Sequence, residues 1–139
     1  MNYLKEFECY IPMAPQAKGN SRQFGRTWGD KPISRKSDKA RAFMEEAILA
    51  IKSAAKGRSF SPQSELRMQC SVGYPTRHSD LDTSLVADAL QKAGVIDDDI
   101  QIGQKNETRG HILGNFANVW VTDIGTLPWV RKRKGKVLV

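Results

Sequence analysis

Residues 66–74 constrain the fold more than any other stretch. Leu66, Met68, Cys70, Val72 and Tyr74 alternate with Arg67, Gln69, Ser71 and Gly73, the period-2 pattern of a strand with one face buried. Pro75 closes the run, because proline cannot donate to a strand ladder. Shortly afterwards Leu85, Val86, Ala89, Leu90 and Ala93 fall on one helical face, starting from about Thr83 or Ser84, until Gly94 stops the helix. A half-buried strand followed closely by a short amphipathic helix predicts helices laid on a sheet.

The remaining segments extend this pattern. Phe7, Cys9 and Ile11 alternate with Glu6, Glu8 and Tyr10, predicting a first strand over 4–11 that ends at Pro12 and Pro15. Residues 16–36 carry Lys18, Arg22, Arg26, Lys31, Arg35 and Lys36 with no apolar period, so they read as a long basic loop with room for a small hairpin. Ser37 suits an N-cap. From Asp38 to Lys56 the apolar positions Phe43, Ala47, Ile48, Ile51 and Ala55 share one helical face before Gly57. A Ser/Pro-rich connector fills 59–64, and Val119, Trp120, Val121 and Ile124 predict a late strand. The basic run from Arg131 to Lys136 reads as a solvated tail, with extra phosphate contact as its functional alternative. No internal repeat is present. The expected architecture is α+β (mixed α/β): a single small domain with a mixed sheet and two main helices over 1–128, followed by a basic C-terminal tail at 129–139.

Composition narrows the function classes. At 139 residues the chain can enclose one core, and 40% hydrophobic with 27% charged residues is globular rather than disordered composition. No apolar run approaches the roughly 20 residues of a membrane-spanning helix, and the N-terminus lacks the order of a secretory signal. A cytoplasmic protein without a membrane partner is expected. Cys9 and Cys70 both fall in strand-like patterns and read as buried free thiols; together with His78 and His111 they show no zinc-ligand spacing. The 22 Lys and Arg exceed the 15 Asp and Glu, for a net charge of +7. That excess fits a polyanionic partner, or solubility alone.

Against this basic background, six carboxylates lie between positions 80 and 99: Asp80, Asp82, Asp88, Asp97, Asp98 and Asp99. If the backbone is extended through Asp80 and Asp82, period 2 aims both carboxylates to one side, an arrangement suited to Mg²⁺, which takes hard oxygen ligands and keeps several waters. The intervening helix spans roughly 15 Å, and an extended 94–99 segment covers about 20 Å. The third acidic group therefore has the reach to return beside the first pair. No more than two of the three consecutive aspartates can serve one ion. The alternative is that Asp80 and Asp82 are turn and helix-start residues and that 97–99 is a polar turn. An EF-hand is excluded, since its required glycine is Leu85 and its required glutamate is Gln91. Neither histidine sits in a recognisable nucleophile motif.

Asp80-Leu81-Asp82, the helix carrying Asp88-Ala89-Leu90, Ala93-Gly94-Val95-Ile96 and Asp98-Asp99-Ile100-Gln101-Ile102 together resemble the core signature of the RusA family of Holliday-junction resolvases. The likeness also takes in the early strand, the loop with Pro15, Lys18, Ser21 and Arg22, the long helix and the strand before the acidic pair, up to about residue 105. It implies a homodimeric, Mg²⁺-dependent endodeoxyribonuclease, with Mn²⁺ as a substitute ion, that makes paired symmetric nicks in four-way junctions during DNA recombination and repair. It also implies a phage or prophage origin. By motif position Asp80, Asp82 and Asp99 would be catalytic, and Asp80, Asp82, Asp98 and Asp99 would hold metal. Lys18, Arg22, Arg26, Arg77 and Lys105 flank the acidic site and are the candidate DNA contacts, to phosphate rather than to base edges. Two positions depart from the family: Thr83 stands where members have Asn, and Val86 where they carry a lysine. The segment from Asp82 to Asp88 is also about two residues shorter. The alternatives are a nuclease for other branched DNA, and a junction-binding protein with weakened cleavage.

Overall fold

The computed structural model describes residues 2–16, 22–26, 32–36, 38–77, 81–110, 113–128, 131–133 and 136–138, with backbone alone for 22–26, 32–36, 131–133 and 136–138. The order is β1 (Glu6–Ile11), β2 (Arg22–Arg26), β3 (Pro32–Lys36), α1 (Asp38–Ala55), β4 (Ser64–Gly73), α2 (Ser84–Lys92), β5 (Ile102–Arg109), β6 (Phe116–Thr126), β7 (Arg131–Arg133) and β8 (Lys136–Leu138). A 3₁₀ turn at Asp99–Gln101 leads into β5. The fold is a small single-domain α+β fold with a four-stranded mixed sheet and two helices, as the sequence predicts.

The central sheet runs β1-β6-β4-β5. β6 is antiparallel to both β1 and β4, whereas β4 and β5 are parallel, with Leu66 opposite Ile102, Cys70 opposite Glu107 and Val72 opposite Arg109. The inward alternation is the predicted one. Phe7, Cys9 and Ile11, then Leu66, Met68, Cys70 and Val72, then Ala117, Val119 and Val121 form one buried face. Both helices cover it, α1 through Phe43, Ala47 and Ile51 and α2 through Leu85, Val86, Ala89 and Leu90, all inaccessible to solvent. Fully burying a large side chain of this kind contributes roughly 1.5–3 kcal/mol, so this shared layer holds the strands and helices together. Val86, the position where a lysine would be expected from the resemblance, belongs to this core and cannot present a side chain to DNA.

The opposite face is polar apart from Tyr10, Phe116 and Trp120. Tyr10 and Phe116 stack at 6.1 Å and 21°. Phe116 also lies over Gly73 at the end of β4, where any Cβ would overlap its ring. Gly94, at φ +81°, adopts the left-handed conformation that ends α2 and that side chains resist.

Two elements, β5 and the C-terminal tail, differ from the sequence reading, and the basic stretch before α1 follows it. β5, Ile-Gly-Gln-Lys-Asn-Glu-Thr-Arg, has almost no apolar pattern and was not anticipated; it is the outer strand, which needs to bury little. The basic stretch 16–36 does hold a hairpin, with β2 antiparallel to β3. The basic tail is not without structure, since β7 and β8 pair antiparallel. Ser37 lies outside the described residues. No helix among the described residues is long and apolar enough to cross a membrane.

Candidate functional site

The parallel pairing of β4 with β5 decides where each acidic residue goes. In a strand-helix-strand crossover, the loop before the helix lies at the C-terminal ends of the strands, and the loop after it lies at their N-terminal ends. Asp82 precedes α2 and therefore sits at one end of the crossover. Asp97, Asp98 and Asp99 follow α2 and sit at the other, with the helix of about 14 Å between them. Asp99 N–H donates to Gln91 Oε1 on the last turn of α2 at 3.0 Å, which fixes that placement.

At the start of α2, Asp82 Oδ1 accepts from Ser84 N–H (2.9 Å) and from Ser84 Oγ (2.7 Å). It thereby satisfies one of the amides that a helix leaves unpaired at its N-terminus. Asp82 N–H in turn donates to the Tyr74 hydroxyl at 3.4 Å. The next residue, Thr83, is fully buried and does not cap the helix with its side chain. Instead its N–H and Oγ1 both donate to Glu107 Oε1, at 3.1 and 2.5 Å. Lys105 Nζ reaches the same oxygen at 2.8 Å. The carboxylate that the chain returns to the start of α2 is thus Glu107, carried back by β5 to Thr83, and not a member of the 97–99 run.

The electrostatics follow from this packing. Burial pushes the Glu107 carboxyl up, but the hydrogen bonds from Lys105 and Thr83 outweigh it and leave the group below its ordinary value of 4.5. Glu107 is therefore charged at neutral pH. Tyr74 is held above 10 chiefly by burial; the Asp82 N–H and Arg109 oppose that shift, while the Asp82 and Glu107 carboxylates reinforce it. The Arg109 guanidinium stacks 5.5 Å from the Tyr74 ring centroid and donates to the Arg77 carbonyl at 2.9 Å. Beneath the cluster the Cys70 thiol is pushed up to about 12, first by burial and then by Glu107, so it is no nucleophile at neutral pH. A depression lined by Gln69, Lys105, Asn106, Glu107 and Thr108 opens beside this cluster.

The other end of α2 uses its aspartates differently. Asp98 accepts from Ile100 N–H at 3.2 Å and caps the 3₁₀ turn, in a capping box completed by Gln101. Gln101, fully buried, accepts from Asp97 N–H (2.9 Å) and Asp98 N–H (3.2 Å) and donates to the carbonyls of Ser61 (2.8 Å) and Ser64 (3.1 Å). Here the acidic run shapes a turn.

Of the expected metal set of Asp80, Asp82, Asp98 and Asp99, three members lie among the described residues. Asp80 lies outside the described residues, and Asp98 and Asp99 lie at the far end of α2 from Asp82. Among the described residues no three His, Cys, Asp or Glu side chains form a metal-binding group. Two carboxylates, Asp82 and Glu107, do flank the start of α2, and hard oxygen donors of this number fit Mg²⁺, which commonly takes one or two carboxylates together with substrate phosphate and water. Of the basic candidates, Lys105 is at the cluster and Arg77 is exposed on the turn after β4. Arg22 and Arg26 lie on β2, and Lys18 is outside the described residues. Glu107 was missed by the sequence reading; the signal was its position five residues into the strand that must return beside β4.

Compared with known proteins, the chain matches no protein-family model and no curated protein.

Proposed function

We propose that this chain is a divalent-cation-dependent endodeoxyribonuclease for branched DNA, a RusA-type enzyme cutting four-way junctions as a homodimer in the cytoplasm of a bacterial host, encoded by a phage or prophage. The observation that carries the reading is the convergence of Asp82, Glu107 and Lys105 at the start of α2 in a chain of net charge +7. Anionic oxygens for a cation and a cation for phosphate stand together on an open surface.

Asp82 and Glu107, with Asp80 two positions before Asp82 in sequence, would hold the ion. Bound there, Mg²⁺ would neutralise phosphoryl charge and lower the pKa of water. The protein's own groups do the rest. Lys105 places positive charge where a scissile phosphate would approach, the role the resemblance assigns to a lysine at the position of Val86. Thr83 fixes Glu107 through two donors, and Tyr74 fixes the backbone of Asp82, so that the carboxylates are oriented before DNA arrives. Arg77 and the basic hairpin residues Arg22 and Arg26 would contact phosphates, with affinity falling steeply as salt rises.

A second reading, a junction-binding protein without cleavage, is favoured by the separation of Asp98 and Asp99 from Asp82. One experiment distinguishes the two. Purified protein is incubated with labelled four-way junction, flap and linear duplex, with Mg²⁺ and with EDTA. Paired symmetric nicks that require Mg²⁺ and vanish in Asp82→Asn support the enzyme. Tight junction binding with no nicks in Mg²⁺ or Mn²⁺ supports the binder.

A further inference from the structure

β1 is an outer strand of the central sheet, paired with β6 on one side and, among the described residues, with no strand on the other. Register fixes what it presents on the open face of the sheet. Glu8 lies directly opposite Trp120, which lies opposite Gln69, and Glu6 lies opposite Thr122 two residues along the same face. Tyr10, the next position of β1 on this face, stacks on Phe116. Glu6, Glu8, Tyr10, Gln69 and Trp120 are all exposed, and Glu6, Glu8, Gln69, Trp120 and Thr122 line an open hollow of about 340 Å³. Two carboxylates beside an indole face suit a cation, and the chain does not supply one. Among the described residues no lysine or arginine forms an ion pair with Glu6 or Glu8, and none stacks on Trp120. Lys5, next to Glu6, turns to Asp123 at 3.5 Å, and Arg67, on the same face, lies two strands from Glu6 beyond Thr122.

A chain of net charge +7 thus keeps an acidic, aromatic strip along a free strand edge, a strip that repels nucleic acid and attracts basic chains. Charge alone blunts an edge against unwanted pairing; an exposed indole next to the carboxylates is not needed for that. We propose that the outer edge of β1 docks an extended, arginine-bearing segment of a partner protein, which adds a strand beside β1 and sets arginines two positions apart against Glu6 and Glu8. The spacing follows from strand geometry. Side chains of an added strand reach one face at every second residue, so arginines at i and i+2 meet Glu6 and Glu8 whichever way the segment runs, and opposite charges on directly opposed positions stabilise the pairing. Backbone hydrogen bonds along the edge supply affinity, and the side chains supply selectivity. Arginine fits better than lysine, because its planar guanidinium both pairs with a carboxylate and stacks on an aromatic face, here that of Trp120. An apolar residue two positions beyond the arginine at Glu8 would meet Tyr10. The inference goes beyond the nuclease reading and stands on the register of β1 and β6, and its test reads peptide binding, not cleavage.

The full chain is titrated by NMR at low salt with a capped peptide of threonines that carries two arginines two positions apart. The amides of residues 6–10 and the Trp120 indole N–H should shift and saturate below about 10 mM peptide. The same peptide with its arginines adjacent sends them to opposite faces of the strand, and should bind at least about threefold more weakly. Replacing both carboxylates, Glu6→Gln with Glu8→Gln, should weaken binding at least about fivefold, and Trp120→Thr about threefold. All three positions are exposed, and thermal unfolding of each variant checks that the chain folds. Absence of a saturable shift, equal binding of the two peptides, or indifference of the double variant would overturn the proposal. Shifts of the same amides on concentrating the protein without peptide would give the edge to a second copy and overturn it too, as would a single-stranded oligonucleotide that shifts them where the peptide does not.

Discussion

The two ends of α2 carry aspartates of the same kind and use them in opposite ways. At its start, Asp82 holds Ser84 while the next residue, Thr83, holds Glu107 and through it Lys105, so that neighbouring side chains orient the charges. At its finish, Asp97, Asp98 and Asp99 wrap a turn around the buried amide of Gln101. An acidic run is therefore not a site by composition. The direction of the crossover decides which carboxylates meet a partner and which ones close a turn.

Four substitutions break or sharpen this contrast. Gln101→Leu removes four hydrogen bonds from a fully buried side chain and strands their backbone partners. It should lower the unfolding free energy by about 4 kcal/mol, read from urea titration; a loss below about 1 kcal/mol would mean that the turn at the far end is not built around it. Asp82→Asn keeps an oxygen for Ser84 but loses the charge. It should reduce junction nicking at least about 100-fold, equivalent to about 2.7 kcal/mol in the barrier, with thermal stability nearly unchanged. Asp98→Ala should cost about 1 kcal/mol through the lost cap while nicking by the folded protein persists. Abolished nicking at undiminished stability would instead bring the far end of α2 into a site, supplied by a second copy.

The smallest effect is the pH dependence of Glu107. Its carboxyl lies below the ordinary 4.5 when folded, so ionisation favours the folded state. That contribution is present in full above the unfolded value and is lost as pH falls through the lower folded one. Glu107→Gln retains an acceptor for Thr83 but not the charge, so the stability gap between wild type and variant should narrow between about pH 6 and pH 3. A gap that stays constant would mean that the Lys105–Glu107–Thr83 cluster does not hold in solution.

Much of this was legible in the chain. Both helices follow from one-sided apolar spacing and their glycine stops, to within a residue or two, and β1, β4 and β6 announce themselves through alternation because each buries one face on the helices. β5 did not, because an outer strand can be polar along most of its length, and Ile102 alone is a weak signal. Missing β5 hid Glu107 and left the 94–99 segment to make the return that the strand makes instead. The capping box was visible as Asp98 followed three residues later by Gln101, yet the pull of three adjacent acids toward metal masked it. Val86 could be recognised as part of the apolar face of α2, which already implied that no side chain at that position faces DNA.

Gly73 sits where the polar face of the sheet meets the turn toward the site. With no side chain there, the Phe116 ring lies close against the end of β4, clamping the strand just before Tyr74 leaves it to meet Asp82. A single methyl on the far side of the sheet would lift that clamp and shift the hydroxyl on which Asp82 rests. The chemistry on one face thus depends on a vacancy on the other, where no charged group and no DNA contact would give it away.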